Sequence, residues 1–161
     1  MEQNKFLKLH SFLRMGAALI ALVIFVSMFF AKQIVHADSA FSNAFFTWNE
    51  AFFGSGDFKP TVLGFIGYIF VIVGGLAGLA FVFIDELIGK DLTKKLSFVA
   101  GGLVVLGGIF ILLTGVMFRA VNNGPGASNF RLAAGPIVFG ILALVAGCMD
   151  VAAPILDDKG L

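Results

Sequence analysis

The chain alternates between four long apolar segments and short stretches that hold most of its charged residues. The apolar segments run over about 12–31, 61–84, 96–118 and 132–149. Each has about the 20 residues that a helix needs to cross a bilayer. Because lipid offers no hydrogen-bond partners to backbone N–H and C=O groups, each segment is predicted to be a helix. The pattern therefore predicts an all-α polytopic membrane protein, with four transmembrane helices bundled into a single membrane domain over 1–161.

The composition supports a membrane protein and excludes one class of partner. Hydrophobic residues make up 59% of the 161 residues and charged residues only 13%, whereas soluble domains are nearer half apolar and a quarter charged. The formal net charge is +1, and no basic patch stands out. We therefore expect membrane lipid, and no nucleic acid, among the partners of this chain.

The first apolar segment admits a second interpretation. Basic residues precede it, and the Val-His-Ala triplet at 35–37 resembles a signal-peptidase site. The apolar run is long enough to span a bilayer when Phe12 and Leu13 are counted with it. We interpret it as the first transmembrane helix, with a cleaved signal peptide as the alternative.

Lysine and arginine are distributed unevenly between the two sides of the predicted bundle. The N-terminus, the second connection and the C-terminal tail together carry seven, whereas the first and third loops carry four. Basic residues near span ends favour the cytoplasmic side. Both termini are therefore predicted to be cytoplasmic, with the protein in a cytoplasmic or plasma membrane and the first loop outside.

The first outer loop is unusually aromatic, and its aromatic residues recur at i, i+4, i+7 and i+11. They are Phe41, Phe45, Trp48 and Phe52. This spacing is typical of one face of an α-helix. Asp38 or Ser39 can cap the start of such a helix, and Gly54 can end it. We predict an amphipathic helix over about 39–53 whose aromatic face contacts lipid, its own bundle or a partner.

The remaining connections carry turn signals. Gly89 is predicted to stop the second long helix, with Asp91 or Thr93 capping the next one. The outer loops carry opposite charges, because the first is the more acidic and the third holds Arg119 and Arg131. Ion pairs between these loops are predicted to hold the outer end together, each weak if exposed.

Small residues recur along one face of three of the predicted spans. The glycines singled out for helix packing are Gly74, Gly78, Gly101, Gly108, Gly115, Gly140 and Gly147. Helices in lipid associate through close backbone approach, which small residues permit. These faces either hold a monomeric bundle together or meet another subunit.

Candidates for chemistry are few. Asp150 could lie inside the last helix and meet a cation or a basic residue, although a position at the cytoplasmic interface is the favoured interpretation. His10 and His36 are predicted on opposite sides, and no cluster has metal-ligand spacing. Cys148 is interpreted as a small packing residue, with acylation as the alternative. We predict no catalytic, cofactor or metal site.

These observations predict a non-enzymatic structural or accessory subunit. It would pack with itself as a homo-oligomer, or with another membrane protein, through the glycine-rich helix faces. The aromatic outer loop would anchor it at the bilayer interface or contact the partner. The alternative is a pore-forming or transport subunit of a multi-protomer membrane complex.

Overall fold

In the part of the chain that the structure describes, four helices are long and apolar enough to cross a membrane, at the places that the hydropathy pattern predicts. The structure, a computed structural model, describes residues 8–36, 45–124 and 127–159, with the side chains of 85 and 86 outside that description. Its elements are α1 (Leu9–Met28), β1 (Ile34–His36), β2 (Phe45–Phe46), α2 (Trp48–Phe53), α3 (Val62–Ile88), α4 (Lys90–Val121), β3 (Phe130–Leu132) and α5 (Ala134–Asp158). The described chain is therefore mainly helical, as predicted.

The four long helices form a closed ring in which each contacts two neighbours. The order around the ring is α1, α3, α4 and α5, and α5 returns to contact α1. His10 Nδ1 near the start of α1 lies 3.6 Å from Asp157 Oδ1 at the end of α5. Lys94 of α4 pairs with Asp158 beside it. The start of α1 and the end of α5 therefore share one end of the bundle, called here the terminal end.

Two helices, α4 and α5, extend furthest beyond their predicted bounds. The last span was predicted to end at 149, but α5 continues to Asp158 and includes Pro154. The third was predicted to begin at 96, but α4 begins at Lys90. Both extensions lie at the terminal end. There Lys94 of α4 pairs with Asp158 of α5, and His10 lies beside Asp157, so these contacts stabilise helix beyond the apolar run. Hydropathy alone therefore marked the apolar part of each helix and missed its polar end.

A single glycine connects α3 to α4. Gly89 has φ +84°, a conformation that side chains with a Cβ rarely adopt, so its prediction as a helix stop is confirmed. The prediction that Asp91 or Thr93 caps the next helix is wrong, because α4 already begins at Lys90. The Thr93 hydroxyl instead donates to the Gly89 carbonyl oxygen at 3.0 Å.

A small antiparallel sheet, absent from the sequence prediction, covers the other end of the bundle, called here the sheet end. Its strand order is β2–β1–β3, so it joins the first and third connections. Ile34 is at its centre, opposite Phe46 on one side and Leu132 on the other. The sheet gives hydrogen-bond partners to loop backbone that would otherwise have to find water.

The predicted amphipathic helix over 39–53 is wrong in its extent. Residues 39–44 lie outside the described residues, and with them Phe41 and the proposed caps at 38 and 39. Phe45–Phe46 forms strand β2, and the helix begins only at Trp48. Thr47 fixes that start, since its backbone N–H and its hydroxyl both donate to Glu50 Oε2 at 2.9 Å. Gly54 ends the helix at φ +88°, as predicted.

Glycines bring the backbones of α3, α4 and α5 into direct contact. A methyl group placed on Gly67 would lie 2.8 Å from the carbonyl oxygen of Gly107, and one placed on Gly107 would lie 2.5 Å from that of Gly67. The pairs Gly101/Gly147 and Gly108/Gly140 oppose each other in the same way, at 2.9 to 3.2 Å. A Cβ at the distances below 3.0 Å would force the facing backbone to move, and at 3.0 to 3.2 Å the facing backbone would have to shift by a few tenths of an ångström.

We expect Gly107→Ala to destabilise the bundle, because the new methyl group would press on the α3 backbone. Overpacking of this kind costs about 1–3 kcal/mol of the free energy of unfolding. The measurement is unfolding of the purified protein in mild detergent, followed by circular dichroism.

Gly102→Ala is the matched control in the same helix. No atom lies within 4 Å of its added methyl group, so it should gain up to about 1 kcal/mol from helix propensity. Equal stabilities of the two variants would contradict the assigned α3–α4 contact.

Candidate functional site

Four phenylalanine rings form a cluster at the sheet end, called here the inner aromatic cluster. They are Phe46, Phe58, Phe118 and Phe130. All six ring pairs have centroids 4.8 to 6.2 Å apart, a range in which aromatic pairs contribute about 0.5–1.5 kcal/mol beyond their burial. The four rings come from β2, the turn before α3, α4 and β3, so the cluster holds both outer loops to the bundle.

The side chain of Gln33, just before β1, makes three hydrogen bonds inside the protein. The residue is fully buried. Its Nε2 donates to the carbonyl oxygens of Met28 and Ala31, both at 3.2 Å. Its Oε1 accepts a hydrogen bond from the Tyr68 hydroxyl at 3.1 Å. The side chain therefore gives hydrogen bonds to two carbonyl oxygens at and just after the end of α1, and it links this end to α3.

The backbone of Gln33 continues the same connection. Its N–H donates to the Phe46 carbonyl oxygen at 2.8 Å, and its carbonyl oxygen accepts from the Ala133 N–H at 3.0 Å. One residue thus joins α1, β2, α3 and the start of α5. Sequence reasoning missed Gln33, because a single polar residue after an apolar run forms no pattern; its only signal is an amide at a span end.

The predicted outer-loop contact residues do not share one face. Phe45 is exposed, with Lys32 Nζ 4.1 Å from its ring centroid. Trp48 is half-buried and meets Phe29 edge-on at 5.1 Å. Phe52 is fully buried and packs on Tyr68 at 6.0 Å. Since Phe41 lies outside the described residues, the structure brings Trp48 and Phe52 together on one short helix and separates Phe45 from them.

The outer loops meet through an amide rather than through the predicted ion pairs. Asn122 Oδ1 accepts the Lys59 N–H at 2.7 Å, and its Nδ2 donates to the Lys59 carbonyl oxygen at 3.2 Å. Within the described residues, the ion pairs that we find, made by His10 and Lys94, lie at the terminal end. Backbone groups in a loop need partners whatever the local charge, which favours the amide.

A hollow of about 530 Å³ opens beside the inner aromatic cluster. Its apolar lining includes Phe46, Phe58 and Phe130, with His36 edge-on to Phe130 at 4.8 Å. Exposed polar residues, Asp57, Lys59 and Asn123, also line it. The volume and the apolar lining with a few polar groups are typical of binding sites.

The seven glycines predicted for helix packing all face other parts of the same chain. A methyl group on Gly74 would lie 2.6 Å from the Ala100 carbonyl oxygen, and one on Gly115 would lie 3.0 Å from Leu132. Gly78 faces Asp150, and the other four form the glycine pairs of α4 and α5. These positions are thus occupied within the bundle.

Two sequence interpretations near the terminal end need correction. Asp150 was favoured as an interface residue, but it is only 1% exposed, because α5 continues two turns beyond it. Cys148 was favoured as a packing residue, but it is exposed on the outside of α5. His10 and His36 lie at opposite ends, as predicted. Within the described residues no group of three His, Cys, Asp or Glu side chains is placed to hold a metal.

No protein-family model, curated protein or solved structure matches this chain. Its function is therefore argued from the geometry of the sheet end and of the buried polar residues.

We expect Gln33→Leu to destabilise the protein by about 1–3 kcal/mol, since it leaves the Tyr68 hydroxyl and two carbonyl oxygens without their buried partner. Tyr68→Phe is the matched variant, because it removes one hydrogen bond from the same group. The measurement is thermal unfolding in detergent. A cost for Gln33→Leu no larger than that for Tyr68→Phe would contradict the central role of Gln33.

Proposed function

We propose that this chain is a small integral membrane protein without enzymatic activity, acting as a structural or accessory subunit. The outward residues of the four long helices support membrane insertion. Leu19 of α1, Val73 of α3, Val99 of α4 and Val145 of α5 are all exposed, although burying each would gain about 1.5–3 kcal/mol in water. Such an apolar girdle suits lipid and is costly in water.

The proposed orientation places the sheet end outside. The excess of lysine and arginine at the terminal end supports it. The aromatic side chains around α2 add further support, because aromatic residues are enriched where the bilayer meets water. Phe30, the most exposed of them at 86%, lies just after α1, near Phe29 and Trp48.

The observation that carries the proposal is the hollow at the sheet end. The seven glycines face atoms of the same chain. The proposed contact with another subunit is therefore expected on a different surface. The hollow combines an aromatic lining with exposed groups of both charges, Asp57 and Lys59. Interfaces concentrate binding energy in such apolar centres with polar rims. The expected partner segment is therefore the extracytoplasmic part of another membrane protein, inserting an apolar side chain.

Photocross-linking in the native membrane tests this contact. We expect Asn123→p-benzoylphenylalanine, at the edge of the hollow, to form a discrete protein adduct on irradiation. The control is the same substitution at Leu106, an outward residue in the middle of α4, which should react with lipid only. A product of twice the monomer mass would identify a second copy as the partner.

Two results of that experiment would contradict the proposal. The absence of any protein adduct from position 123 would mean that the hollow is not a subunit contact. Equal adducts from both positions would move the contact to the helix surface.

The only tryptophan of the chain reports the depth of the sheet end without further engineering. We expect Trp48 fluorescence in proteoliposomes to be quenched more by lipids brominated near the headgroup than by lipids brominated near the chain end, because α2 lies at the end of the bundle. Stronger quenching by the deep label, or no quenching by either, would contradict interfacial anchoring.

A further inference from the structure

Asp150 brings a carboxyl group into the interior of the bundle, where all four long helices contribute neighbours. Asp150 itself belongs to α5, and Gly78 of α3 makes room for it, since a methyl group there would lie 2.7 Å from Oδ1. Arg14 of α1 is the cation that acts on it, and the Arg14 Nη2 donates to Ser97 Oγ of α4 at 3.0 Å. Asp150, Arg14 and Ser97 are each less than 5% exposed.

The carboxylate oxygens of Asp150 can accept hydrogen bonds, but no donor among the described residues reaches them. Neither Oδ1 nor Oδ2 of Asp150 has a hydrogen-bond partner among the described residues. Pro154, one turn further along α5, has no N–H, so the Asp150 carbonyl oxygen also lacks its helical donor. Buried acceptors without partners are costly. Three acceptors at one residue therefore point to a bound species that donates hydrogen bonds.

A small cavity at the terminal end reaches inward as far as Arg14 and Pro154, one helical turn from Asp150. Its volume is about 40 Å³, enough for a few water molecules. Arg14 and Ser11 line it from α1, Thr93 from α4 and Asp157 from α5. Such a polar lining supplies the two to four partners that buried water requires. Water in this cavity can therefore bring a proton from the terminal end to within one helical turn of Asp150.

We propose that Asp150 is a proton-binding site that exchanges with solvent at the terminal end through this cavity. The step is balanced without a further reactant: hydronium transfers one proton to a carboxylate oxygen of Asp150 and leaves as water, and the reverse step regenerates the carboxylate. The new O–H can then donate a hydrogen bond, which the ionised form cannot.

The charged groups around the site favour a proton over a metal ion. Arg14 from α1 already places a positive charge beside the carboxyl group, and it would repel a second cation. At the cavity, α4 contributes Lys90, Asp91 and Lys94, and α5 contributes Asp157 and Asp158, so charges of both signs line it. His10 of α1 contacts Asp157, and α3 contributes the apolar Val82. A proton needs no shell of oxygen ligands, and its binding converts the carboxylate into a neutral carboxyl group.

Infrared difference spectroscopy of the full chain in lipid nanodiscs tests the proposal over a pH titration. We expect a C=O stretching band of a protonated carboxyl group that gains and loses intensity with pH and shifts in D2O. The band should be lost in Asp150→Asn and kept in Asp57→Asn, an exposed aspartate at the sheet end that does not line this cavity.

Two outcomes would overturn the proposal. A band that never appears would show a permanently ionised carboxylate, and a band insensitive to both pH and D2O would show a sealed structural acid. Because Asp150→Asn could fail to fold, the wild-type chain with ¹³C-labelled aspartate provides a second measurement. One carboxyl resonance should titrate apart from those of the exposed aspartates, and coincident titration of all of them would also overturn the site.

Discussion

Direct backbone contact between helices is the constraint on which the rest of this structure depends. Gly67 meets Gly107 across α3 and α4, and the α4–α5 contact repeats the arrangement with Gly108 and Gly140. In lipid there is no hydrophobic gain from joining two helices, so the stabilisation must come from close packing. Glycine provides it at the cost of helix propensity, about 1 kcal/mol relative to alanine for each residue. That cost is recovered only where a neighbouring backbone fills the space, which explains why these glycines face their own chain.

Two amides, Gln33 and Asn122, make hydrogen bonds with backbone groups at the sheet end, whereas the buried carboxyl group of Asp150 has no hydrogen-bond partner among the described residues. At the sheet end, Gln33 satisfies two carbonyl oxygens, Tyr68 and the flanking strands, and Asn122 does the same between the loops. A fully satisfied polar network stiffens the structure around it. The inner aromatic cluster therefore lies on a rigid base, which suits the partner contact proposed for the hollow beside it.

The long helices could be predicted from sequence, whereas the details that give each end its chemistry could not. A stretch of about twenty mostly apolar residues is a local signal, and each of the four long helices of the described chain contains one. The helix over 39–53 failed because the spacing of Phe45 and Trp48 fits a helix by chance. A two-residue strand such as β2 is set by its partners Val35 and Ile34, which are ten and twelve residues away from the residues they pair with. The contact of Arg14 with Ser97 spans 83 residues, and only the packed bundle reveals it.

The position of Asp150 follows from the same packing that holds the helices together. Gly78 is the one glycine of the predicted seven that faces a carboxyl group rather than backbone or an apolar side chain. Its missing Cβ therefore contributes space for an ionisable group, not helix contact alone. If Asp150 only completed the packing, an apolar residue of similar volume would fill the space without the cost of a buried acid. The cost is explained when the carboxyl group binds a proton, as proposed above, and the cavity lined by Arg14 and Pro154 has room for the water that would bring it.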